Sequence, residues 1–349
     1  MIWLTWRQFR TQSLVAMAVL AAAAAYFLIS GTRLRHAYTA DLASCAGQND
    51  CFGVLNGLQV QYDGPLQLAA MLVLAAPALI GIFWGAPLIA GELERGTHLM
   101  AWNQSVTRTR WLAVKLGCVT LASVITAGVL SLLLTWWAGP LDTISGNRFG
   151  TLAFNARDIA PLGYAAFALA LGVTLGLLLR RTLPAMAVTL AIFLVVQVIV
   201  TAGLRPHLLP PTTAAVPVNQ TTMSQAVRFD RASTPTGPVT IDLPAPTGSW
   251  LQSETPALNS AGRPIQSGEI LTCWNKTFGR AGGAASGKAG SPGFGPIGAC
   301  LAPDDLHVEL TYQPADRYWP LQWIETAFYA ALAALLAVAG FWRLRRLTG

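Results

Sequence analysis

The densest polar chemistry in this chain lies in one short segment, Gly91-Glu92-Leu93-Glu94-Arg95-Gly96-Thr97-His98-Leu99-Met100-Ala101-Trp102-Asn103-Gln104-Ser105-Val106-Thr107-Arg108. Acidic residues open it, Gly96 and Thr97 follow, the apolar pair Leu99 and Met100 comes next, and Arg108, Arg110 and Lys115 close it. Charge at the rims and apolar side chains at the centre are the chemistry of docking onto another protein, not of bond-making. A solvated loop whose Glu92, Glu94 and Arg95 only stabilise a helix end has little use for Leu99, Met100 and Trp102 so close together.

Other candidate chemistry is sparse. Gly282-Gly283-Ala284-Ala285-Ser286-Gly287-Lys288 matches most of a phosphate-binding loop, but Ala289 stands where Ser or Thr is required. No apolar strand leads into it and no helical pattern follows, so we read no nucleotide site here. His307 stands alone beside a strand pattern, and no Ser/His/Asp or paired-carboxylate arrangement accompanies it. Of the cysteines, Cys118 falls in an apolar run, where it reads as a small packing residue. Cys45 with Cys51, and Cys273 with Cys300, are the simplest disulfides, although four cysteines allow three connectivities. Metal-ligand spacing is absent from the sequence, so no metal is expected.

The elements that position these residues follow from composition. Of 349 residues 53% are hydrophobic and 11% charged, against roughly 25% charged in a soluble domain. Six runs reach the roughly 17–25 residues that cross the hydrocarbon core as helices: 13–30, 66–90, 112–137, 159–179, 183–203 and 319–342. None carries a charge in its central turns, and Glu325 lies near one end of the sixth. The fold class is therefore an all-α polytopic membrane protein. Ion-coupled carriers place ionisable groups in mid-membrane, and no such group is expected here.

Orientation follows from basic residues in short loops beside the spans: Arg7, Arg10, Arg95, Arg108, Arg110, Lys115, Arg180, Arg181, Arg343, Arg345 and Arg346. They place both termini inside, with 343–349 a basic cytoplasmic tail. The net charge of +7 then reflects membrane orientation, and no nucleic-acid partner is expected. The first run reads as a span and not a cleaved signal, because no small-residue cleavage site follows it and Arg33 and Arg35 come soon after. Trp3, Trp6 and Phe9 alternate with Arg7 and Arg10, so 1–12 reads as an interfacial amphipathic helix. Extension of the first span into water fits the same pattern.

The segment 204–318 differs in being rich in Pro, Gly, Ser and Thr, and it reads as a small extracytoplasmic domain. Val239–Leu243 and Val308–Tyr312 alternate as half-buried strands do, and 282–298 reads as a low-complexity loop. Within the spans, Gly81-x-x-x-Gly85 and Ala168-x-x-x-Gly172-x-x-x-Gly176 line up small residues that serve either dimerisation or packing within the chain. Pro77 and Pro87 are expected to kink the second span.

The residues Glu92, Gly96, Thr97, Leu99, Met100, Val106, Thr107, Arg108 and Lys115 resemble, in order and spacing, the cytoplasmic loop of ABC-2 type exporter permeases. The stretch Tyr312-Gln313-Pro314-Ala315-Asp316-Arg317-Tyr318-Trp319-Pro320-Leu321-Gln322-Trp323-Ile324-Glu325 resembles the approach to the last span in a subgroup common in GC-rich bacteria. With the six-span layout and the large last outside loop, the likeness covers essentially the whole chain.

That resemblance implies a type V exporter-like fold in a bacterial plasma membrane. It implies a homodimer, or a pairing with a related half, bound to two copies of a separate cytoplasmic ATPase. ATP and magnesium belong to that partner, so this chain carries no cofactor and is not an enzyme. Within the loop 91–111, a coupling helix from Glu92 to about Gln104 would sit in a groove of the ATPase. Gly96 would permit close approach there, beside Thr97; Leu99 and Met100 would be anchors, and Glu92 and Arg108 would fix register by charge. The second and fifth spans line the central path in such exporters, which makes Trp84 and Gln197 wall residues; Gln197 also suits a helix–helix hydrogen bond. Glu325 would shape an outer gate, or else be an interfacial carboxylate paired with Arg317. The cargo implied is hydrophobic or amphiphilic. The alternative from another class is a membrane sensor or assembly protein, whose outside domain binds a ligand and whose loop docks a signalling partner.

Overall fold

The computed structural model describes residues 2–45, 52–96, 107–226, 228–231, 234–278 and 295–346. It is mostly helical, and six helical segments are long and apolar enough to cross a membrane: Leu14–Cys45, Gly53–Glu94, Thr109–Ser145, Ala160–Leu179, Thr182–His207 and Ala315–Arg346. Several run well beyond the apolar stretches read from sequence. Hydropathy sees only the part of a helix that lipid surrounds, whereas backbone hydrogen bonding continues until a breaker stops it. The third helix, Arg108–Ser145, stops at Gly146, which is left-handed (φ 63°). At the start of the chain, the backbone of Ile2–Cys45 forms one unbroken helix, so 2–12 runs straight into the first span.

The chain forms two compact units, Leu209–Arg317 and the remainder. At the centre of the membrane unit is the fourth span. Some 72% of its apolar stretch is buried, against 11% for the first span. Association of helices in lipid depends on close packing instead of the hydrophobic effect, and the small-residue stripes supply it. A Cβ on Gly172 would lie 2.4 Å from Gly81 O, and one on Gly176 would lie 2.8 Å from Ala86 O. The two stripes therefore pack on each other within one chain.

Two π-helical turns adjust the register. At Gly81–Gly85 the Ala86 N–H reaches back five residues to Gly81 O, and Pro87 begins the next helical stretch just beyond. Pro77 stays inside the preceding helix, so a π-turn stands between the two prolines expected to kink this span. A second π-turn, Ile199–Leu204, leads directly into Arg205. The buried stripe of the fifth span runs Ala185, Thr189, Phe193, Gln197, Val200 and then Arg205. Its last step of five residues is what a π-turn provides.

Among its described residues, the 209–317 unit holds two antiparallel sheets. In the first, β1 (Thr212–Pro217) and β4 (Trp250–Glu254) flank β5 (His307–Gln313); in the second, β2 (Arg228–Arg231) pairs with β3 (Val239–Asp242). The alternating segments seen in the sequence thus form strands of different sheets. Val216 pairs with Val308, and a bulge between Leu251 and Ser253 shifts the register of β4. A core including Met223, Ile241, Ile297 and Val308 sits between them, and Phe229 stacks on Trp274 at 5.6 Å. Cys273 and Cys300 are disulfide-bonded, joining helices Leu271–Phe278 and Gly295–Leu301. Cys45 is also in a disulfide; the expected partner, Cys51, lies outside the described residues, as does the glycine-rich 279–294. Cys118 is free and lies on the bundle surface, not packed inside.

Candidate functional site

The second span ends in the helix Ala86–Glu94, whose last residues carry two carboxylates. Arg95 caps it, and Gly96 follows with φ 70° and open space where a side chain would project. Gly96 is thus a left-handed terminator of the helix, which gives it a conformational requirement within this chain. Thr97, Leu99 and Met100, and the side chain of Arg108, lie outside what is described.

The two carboxylates diverge. Glu92 is buried, 8% exposed, and accepts a hydrogen bond from Lys115 Nζ in the third span. Lys115 is 3% exposed and also lies 4.8 Å over the Trp111 ring. An ion pair out of water persists only where partners are this close. The charge of Glu92, expected to face a partner protein, is thus engaged by a lysine of its own chain. Glu94 instead reaches the start of the fifth span, accepting from Thr182 N at 3.1 Å and Thr182 Oγ1 at 2.7 Å. The helix Thr182–Val198 has no side-chain cap from its own N-cap residue, Arg181. Glu94 therefore satisfies a donor that a helix start leaves open, with negative charge at the positive end of the dipole.

At the opposite end of the membrane unit lies a buried polar centre. Glu325 is fully buried and Arg205 is 3% exposed. Arg205 donates from Nε to Glu325 Oε2 and from Nη2 to Oε1, both at 2.8 Å, and also from Nη2 to Asn155 Oδ1. Tyr164 donates to Glu325 Oε1, and the guanidinium lies 4.3 Å over the Phe154 ring. Asn155 Nδ2 reaches Thr201 Oγ1 at 3.4 Å. A second layer flanks it: Gln322 accepts from Ala160 N at 2.9 Å and donates to Phe154 O at 3.0 Å, while Tyr318 donates to Asp158. Arg157 bonds Asp142 at 2.6 Å.

One sequence-based expectation fails here: the partner of Glu325 is Arg205, not Arg317. Arg317 donates instead to Pro210 O and to Gln313 Oε1 within the 209–317 unit. Arg205 was missed because the apolar run ends at Gly203, and a five-residue step carries it back onto the buried face.

The remaining candidates divide. Gln197 accepts from Tyr329 OH at 2.9 Å, and its Nε2 has no hydrogen-bond partner among the described residues. Tyr329 lies one turn beyond Glu325 and packs edge-on against Tyr164 at 4.7 Å. Gln197 and Glu325 thus belong to one strip. Trp84 lies apart, lining an apolar cavity of about 380 Å³ among the first three spans with Val19, Leu20, Ile80, Phe83 and Leu130.

A family model described as "ABC-2 membrane transporter related" matches residues 17–205, more than half of the chain. That match runs from within the first span to near the end of the fifth and includes the 91–111 loop. Curated proteins give no match, and solved structures give none.

Proposed function

This chain belongs to the ABC-2 membrane transporter related family, and from that premise we propose that it is the permease subunit of an ATP-driven exporter. The observation that carries the reading is the arrangement after the second span. A helix ends at Glu94 and Gly96, its two carboxylates bind the third and fifth spans, and the loop beyond holds Leu99 and Met100.

In this reading the loop docks on a cytoplasmic ATPase, with Leu99 and Met100 as apolar anchors and Thr97 and Arg108 at the rim. ATP and magnesium are bound by that subunit. Closure of two such ATPases presses on the loops of two permease copies and moves the attached spans, driving a hydrophobic or amphiphilic cargo outward. Both termini lie in the cytoplasm of a bacterial cell. The 209–317 unit lies outside, where an oxidising setting suits the Cys273–Cys300 disulfide.

The test is a mild-detergent pull-down of tagged chain from native membranes with mass spectrometry of associated proteins, comparing wild type with Leu99→Asp. An ATPase that accompanies wild type and is absent from the variant, with membrane insertion unchanged, supports the reading. Recovery of a kinase or regulator in its place overturns it in favour of a sensor.

A further inference from the structure

The fifth span is loosely held along its length. Between its start and the Arg205–Glu325 pair at its far end, its contacts with the rest of the bundle run along the single stripe Ala185, Thr189, Phe193, Gln197 and Val200, and Leu183, Leu194, Val195 and Val198 face outward. Its start, in contrast, is fixed from two directions. Arg180, left-handed at φ 55°, closes the fourth span, and with Arg181 it forms a link of two residues, so little slack separates the spans. From the other side, the Glu94 carboxylate holds both the Thr182 N–H and hydroxyl. Two residues earlier in sequence, Glu92 is locked to Lys115 in a buried pair. One helix end thus grips two spans, the third rigidly and the fifth at its tip.

We propose that Glu94 is a positioning residue that transmits displacement of the 95–107 loop to the fifth span, while the Glu92–Lys115 pair ties the third span to the same helix end. The inference rests on the exporter reading and adds to it a division of the mechanical signal. A carboxylate with two bonds to the first turn of a helix moves that turn as the helix end carrying it moves. Its own N-cap residue, Arg181, supplies no side-chain cap to that turn.

The experiment is pulsed electron spin resonance on the full chain in phosphatidylethanolamine–phosphatidylglycerol nanodiscs, with the ATPase that co-purifies with wild type. Labelled chain is diluted with unlabelled chain. Cys118 is first replaced by serine, because it is free and exposed. Nitroxides on Leu194 and on Leu121, at the surfaces of the fifth and third spans, are each paired with one on Leu335 of the sixth. Distances are compared without nucleotide and after trapping with ATP and vanadate.

In wild type both distances are expected to shift on trapping. In Glu94→Ala the 194–335 shift should fall by at least half while the 121–335 shift and ATPase recruitment stay unchanged. Thr182→Val, which alters the bond from the other side, should act likewise. Glu94→Gln, whose amide oxygen still accepts, should retain most of the shift. An unaltered 194–335 shift in Glu94→Ala overturns the proposal. Loss of ATPase recruitment in that variant also overturns it, by making Glu94 part of the docking surface. Failure of wild type to recruit any ATPase sinks the exporter reading itself, before any variant is compared.

Discussion

Arg205 and Glu325, 120 residues apart in sequence, meet inside the bundle as a two-bond pair with both contacts at 2.8 Å. Removing one partner strands a buried charge, at a cost of about 3–5 kcal/mol; replacing both with apolar residues of similar volume is often neutral. We expect Glu325→Leu alone to lower the unfolding midpoint of the purified chain in detergent markedly. The double variant Arg205→Met/Glu325→Leu should recover most of the loss. A double variant as damaged as the single would show that Tyr164 and Asn155 depend on the charges for their own placement.

Glycine packing gives a second expectation. Gly172→Ala drives a Cβ into Gly81 O at 2.4 Å and Ala86 N at 2.8 Å, where backbone has to shift. Overpacking of this kind costs about 1–3 kcal/mol. Gly117→Ala, with nothing within 4 Å, serves as the control and should stay within about 0.5 kcal/mol. Thermal unfolding of the two variants separates the cases, and equal midpoints would contradict the close approach of the second and fourth spans.

The 209–317 unit should respond to pH through Glu254. Burial, then a hydrogen bond and charge from Asp242, raise its carboxyl from 4.5 to about 7. Between those values the folded unit holds a proton that the unfolded chain has released, so stability falls as pH rises through that window. The benefit is complete below pH 4.5 and absent above 7. Glu254→Gln should flatten this dependence and stabilise the unit at pH 8, by less than about 1 kcal/mol given the partial solvation of the site. Tryptophan fluorescence of the full chain during unfolding reads it, and a wild-type midpoint constant from pH 5 to 8 would refute it.

Reduction supplies the fourth expectation. The Cys273–Cys300 bond closes a loop with a sequence separation of 27 residues, for which loop-closure entropy gives about 3.5 kcal/mol. Cys273→Ser/Cys300→Ser should lower the denaturant midpoint of the 209–317 unit accordingly, and dithiothreitol should do the same to wild type. Insensitivity to both would mean that the segment between them is already ordered in the unfolded chain.

The membrane helices and their small-residue faces were legible because apolar runs and spacings of four residues are local properties. Gly81, Gly85, Gly172 and Gly176 announced close packing, and only the partner face had to come from the structure. Gln197 was readable as a helix–helix hydrogen-bonding residue, which Tyr329 satisfies. Glu325 stood out, yet sequence offered Arg317 as its nearest cation, and its true partner lies on another span. Arg205 was illegible for a different reason. It lies past the end of the apolar run at Gly203, and the π-turn at 199–204 that leads into it has no signature in hydropathy. Glu92 drew attention through its loop, whereas its burial against Lys115 depends on how the second and third spans meet.

The polar centre also sets a timetable for synthesis. Arg205 leaves the ribosome 120 residues ahead of Glu325, which at about 5–20 residues per second is a wait of roughly 6–24 s. During that interval the fifth span is in place and its counter-charge does not yet exist. An unpaired arginine lowers its cost by stretching its head toward the lipid headgroups. The sixth span, made later, brings the carboxylate against which Arg205 is buried in the finished bundle.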